Sequence, residues 1–290
     1  YRQFRYLFKN DHHRYTWVIK EENESRYHFI KRIYTETRKR NIELLYLNTI
    51  SDNHIFYVWM IRRLSNVRVI VTLHNINNHF YFKPKFSFRR WVRHVGKRLL
   101  IRTVKEFNVV STTMVPYLQT FLPAYKKVYA LAGAVFEGDY LPLSPPTDNQ
   151  PVKLVVPGTV DIRRRNYNEV FELLQQANQL SIPVTIVLLG GYFGEPGKKI
   201  LEKCREYSAR HDNLSFYETD VVDQPEFDRV MNESHFVFVP SVIHTVLGDD
   251  VAEKYGQSMS SGNIFDIIKH AKPYIVPVEL DLPADLQQSA

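Results

Sequence analysis

The chain has 290 residues, 44% hydrophobic and 24% charged, a balance that supports packed cores and excludes a disordered or collagen-like chain. Its single cysteine, Cys204, excludes a disulfide framework and an all-cysteine zinc site, and it is expected in a reducing compartment such as the cytosol. The formal net charge of +7 is unevenly divided: residues 1–140 carry 25 Lys+Arg against 10 Asp+Glu, or +15, and residues 141–290 carry 13 against 21, or −8.

The opening YRQFRYLFKN reads as neither signal peptide nor strand, and the chain is expected to begin and to end inside a longer protein. Strand-like runs then alternate with helical patterns: TWVIK, YHFIKRIYTETRKRN, IELLYLNTI, HIFYVWMIRRLS and VRVIVTLHNI. A long amphipathic segment, FSFRRWVRHVGKRLLIRTVKEF, precedes NVVSTTM, a short helix from Val115, and KVYALAG. Beyond the Pro-rich stretch at 141–151 the rhythm restarts with VKLVVPG, NYNEVFELLQQANQLS, VTIVLLGG, KKILEKCREYSARH, LSFYETDV, PEFDRVMNES, FVFVPS, NIFDIIKHA and PYIVP. Uniformly apolar strands separated by helices predict parallel sheets covered on both faces. The expected architecture is α/β: two tandem doubly wound domains, 1–140 and 152–290, joined by a linker at 141–151. No apolar run approaches the roughly 18 residues of a membrane span.

In such sheets, ligands bind beyond the carboxyl ends of the strands. That rule selects Asn48, Thr49, Ser51 and Asp52, then His74, Asn75, Asn77, Asn78 and His79, Gly158 and Thr159, Gly190 and Gly191, Thr219 to Val222, and Pro240 with Ser241. In PGTVDIRRRNY, a strand ends at Gly158 and three arginines precede a helix; glycine admits a ligand close to the backbone and Arg matches phosphate oxygens. The competing reading is a solvated turn whose arginines meet acidic neighbours. In SSGNIFDIIKH, the Ser261-Gly262-Asn263 start of a helix offers free N–H groups to an anion, while Ser261 and Asn263 also suit capping. Asp266 lies one turn inside that helix.

These residues resemble the nucleotide-sugar-binding domain of GT-B glycosyltransferases, closest to the family 4-like group. The likeness is carried over 152–277 by the Gly158 turn with its arginines, Gly190-Gly191, FVFVPS ending in Ser241, and YGQSMSSGNIFDIIKHAKPYIVP; over 15–133 it rests on strand order and the THN turn. It implies two Rossmann-like domains with an interdomain cleft, a nucleotide diphosphate sugar held by the second domain, and an acceptor held by the first. It places Arg164 or Arg165 on the diphosphate, Asp266 on the donor ribose, and Val221 and Val222 at the base pocket. The family's acid eight positions before Asp266 is replaced here by Ser258.

His74, in TLHNINNHF, is the candidate base toward an acceptor hydroxyl, with Asp52 as its competitor. His12 and His13 read as surface residues and Cys204 as structural. The chain has no Asp-x-Asp, HExxH, GxxxxGK[ST] or GxGxxG, so no metal or cofactor is expected; arginine and helix-end amides can stabilise a departing diphosphate. Segment 83–107 combines nine Lys/Arg with Phe86, Phe88, Trp91, Val92, Val95, Leu99 and Leu100. It suits either an anionic membrane surface or a helix packed on the sheet. The leading expectation is a cytoplasmic, metal-independent glycosyltransferase, peripheral to the membrane face, with a saccharide or lipid-linked saccharide acceptor. The alternatives are a polyanion or nucleic-acid binder using the basic half, and a sugar-nucleotide epimerase of the same architecture. No nucleic acid is expected, because aromatic-basic RNA signatures are missing and the arginine cluster lies in the acidic half.

Overall fold

A computed structural model describes residues 14–84, 87–134, 147, 150–246 and 249–287. They form two compact units. The first takes the described residues up to Leu73, His79–Asn108 and Phe121–Tyr129; the second takes His74–Asn78, Val109–Thr120 and the described residues from Ala130 onward. Of the expected linker, 141–146 and 148–149 lie outside the described residues, as do His12, His13 and Phe86.

In the first unit, β1 (Leu44–Leu47), β2 (Arg68–Thr72), β3 (Glu106–Val109) and β4 (Lys127–Ala130) form a sheet in that order, with β1–β2 and β2–β3 parallel. Helix α1 (Arg26–Lys39) starts at Ser25, whose hydroxyl accepts the His28 N–H, and carries Arg38 and Lys39 in its last turn, where cations meet the negative end of the helix dipole. Helix α2 (His54–Arg63) packs Met60 with Ile30 of α1 and with Leu64. The strand expected at TWVIK does not form. Tyr15 and Ile19 stay exposed, and the Ile19 carbonyl accepts from Arg32 instead of joining a ladder. After β2 comes the short helix α3 (Ile76–Phe80), and the long amphipathic segment forms helix α4 (Phe88–Thr103).

In the second unit, β5 (Val152–Pro157), β6 (Val184–Leu189), β7 (Leu214–Phe216), β8 (Phe236–Phe238) and β11 (Tyr274–Ile275) form a parallel sheet of order β11-β8-β5-β6-β7. Its two faces carry separate cores, because successive strand residues point to opposite sides. Leu154 and Val156 join Val170 and Leu174 of α6 (Tyr167–Gln179) and Cys204 of α7 (Gly194–Ser208). Val155 joins Met231 of α8 (Gln224–Glu233) and Ile264 and Ile267 of α9 (Gly262–His270) on the other face. Each such side chain contributes about 1.5–3 kcal/mol by leaving water. An antiparallel pair, β9 (His244–Val246) with β10 (Ala252–Lys254), was not anticipated; three-residue strands carry too little alternation to be read. Two more helices, α5 (Met114–Gln119) and α10 (Ala284–Gln287), complete this unit. Among the described residues no helix is long and apolar enough to cross a membrane.

Candidate functional site

The second-unit sheet reverses its winding between β5 and β8, the neighbours from which successive strands run outward in opposite directions. Loops leaving the carboxyl ends of two such strands diverge and open a crevice there. The residues following β5 and β8 are Gly158 to Arg165 and Val239 to Ser241.

Gly158 leaves β5 at φ +90°, a left-handed conformation that disfavours side chains. The Gly158–Thr159 turn passes so close to Gly190 that a Cβ on Gly190 would overlap the Gly158 carbonyl. Gly190 is thus required for the packing of two loops, and its role in the site is to seat the Gly158 turn. Thr159 is exposed on that turn.

The three arginines that follow have separate fates. Arg165 is 7% exposed. Its Nη1 donates to the Thr159 carbonyl (2.8 Å) and its Nη2 to the Pro157 carbonyl and to Asn263 Oδ1 (3.0 Å). Asn263 Nδ2 also donates to Pro157 O (2.7 Å). The Arg165 guanidinium is therefore the clamp that ties the end of β5 to the start of α9, so of the two arginines proposed for a diphosphate it is Arg164 that keeps a solvent-facing head. Arg163 pairs with Asp161 through Nε (2.9 Å) and Nη2 (2.7 Å), and Arg164 Nε lies 3.5 Å from the same carboxylate with half its side chain exposed. Burial alone would push the Asp161 carboxyl up, but hydrogen bonds from the Arg163 side chain and amide, with the Arg164 charge, hold it below its ordinary value. The acidic neighbour that sequence reasoning posed as the rival to phosphate is thus Asp161. It holds Arg163 by two hydrogen bonds and Arg164 only loosely, and both side chains stay about half exposed.

Ser241 is buried and bridges Arg165. The Asn166 amide donates to Pro240 O, and the Val242 amide to Arg164 O. The arginine turn is in this way sewn to the loop after β8. Ser261 caps α9 by accepting from the Asn263 amide (3.3 Å). Gly262 is exposed, with open space where a side chain would stand, and helix geometry leaves its N–H without an intrahelical partner. Asp266 lies one turn further in, and burial pushes its carboxyl up to about 6 against the pull of Arg165 and Lys269. Beyond β7, Val221 is 74% exposed and Val222 packs on the core.

Segment 74–78 belongs to this same unit. Asn75 bridges Met259, and the Ile76 amide donates to Ser258 O (2.8 Å). The buried Glu253 carboxylate accepts the amides of Asn77 (3.3 Å) and Asn78 (2.8 Å), and the Tyr117 hydroxyl donates to Asn77 Oδ1 (2.7 Å). His74 is thereby anchored to the strand-and-turn segment that leads into α9. Ser258, where the family pattern has an acid, is fully buried and accepts the Lys254 amide (2.8 Å). Sequence reasoning missed Asp161, Glu253 and Tyr117; only Asp161, two residues before the arginine it binds, carried a local signal, that of an Asx turn.

Asp52 belongs to the first unit. Burial would raise its carboxyl, yet the Asn53 amide, Arg89 (3.2 Å) and Arg93 lower it below the ordinary value. A carboxylate so stabilised is a poor general base near neutral pH. Cys204 is buried, which pushes its thiol up to about 12 and makes it unreactive as a nucleophile. Among the described residues no three His, Cys, Asp or Glu side chains gather as a metal would require.

No family model and no curated protein sequence matches the chain. Among solved structures it is similar to TarM (TM-score 0.53, 11% identity, 89% of this chain and 46% of that one). It is also similar to a sucrose-phosphate synthase from Thermosynechococcus elongatus (0.52, 17%, 90% and 62%) and to a glycosyltransferase from Rickettsia africae (0.54, 12%, 93% and 68%). The chain thus spans about half the length of TarM and under two thirds of the synthase. Identities this low speak for architecture: the chain has a GT-B glycosyltransferase-like fold.

Proposed function

We propose that this protein transfers a sugar from a nucleotide diphosphate donor to a saccharide acceptor, with the donor held in the β5–β8 crevice and no metal taking part. The observation that carries the reading is the rim of that crevice. Arg164, half-exposed and held only loosely by Asp161, stands at the sheet's switch point with an open helix start at Gly262 and a Gly158 turn locked in place by Arg165 and Asn263. In the reaction the bond from the anomeric carbon to the diphosphate oxygen breaks and a bond to the acceptor oxygen forms. The acceptor proton passes to His74, and the diphosphate leaves with the electron pair, its growing charge met by Arg164 and the Gly262 amide. Asp266 accepts hydrogen bonds from ribose hydroxyls, and Val221 and Val222 border the base. The acceptor is a saccharide, free or lipid-linked, reached on the cytoplasmic side with 83–107 as the membrane contact.

The test is a thermal-shift screen against UDP-, GDP- and dTDP-sugars, because a ligand at a hundred times its Kd stabilises by about 2.7 kcal/mol. One donor is expected to raise the melting temperature, and Arg164→Ala to cut that rise to about half or less while leaving the apo melt unchanged. A rise undiminished in Arg164→Ala would remove the diphosphate assignment. A nucleotide sugar epimerised with no sugar transferred would replace the reaction with epimerisation.

A further inference from the structure

Helical spacing places Phe88, Trp91, Val92, Val95 and Leu99 of α4 on one face. The residues α4 buries are Gly96, Lys97 and Leu100; Lys97 lies on the opposite face, and Gly96 and Leu100 lie along the side between the two. Cations line that inner face: Arg90, Arg93 and Lys97 stand 5.2, 5.6 and 4.3 Å from the Phe82 ring. Phe82 itself is 2% exposed. A cation over an aromatic face is attracted by the ring quadrupole, so the basic side of this helix is the side that packs. The first turn of the apolar stripe is left outward, with Phe88 79% and Trp91 52% exposed and their rings stacked at 6.1 Å. Exposed cations flank it: Lys83 before its start, Arg98 and Arg102 along it. The sequence alternatives for this segment were a membrane surface and packing of the apolar stripe on the sheet; Leu100 packs inward and Val92, Val95 and Leu99 are half-buried, while Phe88 and Trp91 stay outside.

We infer that the outward face of α4 docks on an anionic lipid surface, with Phe88 and Trp91 entering the headgroup–acyl boundary and Lys83, Arg98 and Arg102 meeting lipid phosphates. The charge pattern selects this occupant. Two exposed aromatic rings beside three exposed cations match an interface that is apolar below and negative above, in the half of the chain that carries +15. The inference gives residues to the membrane contact of the proposed function but uses none of its chemistry, so either can fail alone.

Co-sedimentation of the chain with phosphatidylglycerol–phosphatidylcholine vesicles and with pure phosphatidylcholine vesicles tests it. Binding is expected to the anionic vesicles only, to weaken as salt rises, and to fall about tenfold or more in Phe88→Ser/Trp91→Ser, whose exposed positions leave the apo melt unchanged. Tryptophan emission should shift to the blue on anionic vesicles, and Trp91→Phe should bind while losing that shift. Absence of binding to anionic vesicles, or binding that the double variant leaves intact, overturns the inference. So does a wild-type dimer that Phe88→Ser/Trp91→Ser converts to monomer, since the face would then belong to a second copy.

Discussion

Lys97 in the first unit and Arg165 in the second are both buried cations, 2% and 7% exposed. Lys97 lies over the ring of Phe82, whereas Arg165 donates to two backbone carbonyls and an amide oxygen. The guanidinium fork can join several segments at once, which suits it to holding loops around a crevice; an ammonium on a ring face joins one helix to one loop. The same residue class therefore shapes a polar recess in one unit and seats a helix on an aromatic ring in the other.

The comparison is broken most forcefully at Arg165. Arg165→Ala strips Thr159 O and Asn263 Oδ1 of a charged donor and opens a void, and should cost about 3–5 kcal/mol in urea melts. A loss under 1 kcal/mol would return Arg165 to the ligand-binding role that sequence reasoning offered it. Gly190→Ala forces a methyl into the Gly158 carbonyl and should cost about 1–3 kcal/mol, with nucleotide affinity falling alongside stability.

Asp266→Asn should act in the opposite direction. Its folded value of about 6 stands above the ordinary 3.8, so the folded state keeps the proton longer and this residue's contribution to stability falls as pH rises from about 4 to 6. Removing the charge should therefore stabilise at pH 7, on the order of 2 kcal/mol, with the gain vanishing below about pH 4. His270, pushed down to about 4 by burial, carries the contrary sign: its stability is lost as pH falls from about 6.5 to 4. The wild type should thus be flatter over that window than Asp266→Asn, in which the His270 slope stands uncovered; identical thermal-melt profiles would count against the raised Asp266. The smallest effect on folding belongs to Arg164→Ala, within about 0.5 kcal/mol. Its nucleotide affinity should nevertheless fall about tenfold to a hundredfold by calorimetry.

Much of the second-unit sheet was legible, because VKLVVP and VTIVLL are apolar at all but one position each, Lys153 and Thr185, and lie between amphipathic helices. The Gly158 turn, Arg165 and the α9 start lie together in the fold. Which arginine turns inward was not legible, since three identical neighbours differ only in what the turn brings near them, and the Asn263 that receives Arg165 is distant in sequence. The orientation of α4 was likewise hidden: periodicity finds a stripe but not the direction it faces, and here Phe82 draws the charged side in. TWVIK had strand composition without a partner to pair with. Glu253 held no local signal, because its two acceptor contacts reach back to the His74 loop.

The order β11-β8-β5-β6-β7 also sets a timetable. Leu154 pairs with Ile186 after 32 positions and with Phe236 after 82, and closing the longer loop costs about 0.8 kcal/mol more entropy. During synthesis, β5, β6 and β7 can assemble before β8 has emerged, leaving one flank of β5 as an unpaired edge open to neighbouring chains. The recess between β5 and β8 is therefore a late product of folding, and nascent chains stopped before Phe236 should aggregate through that flank.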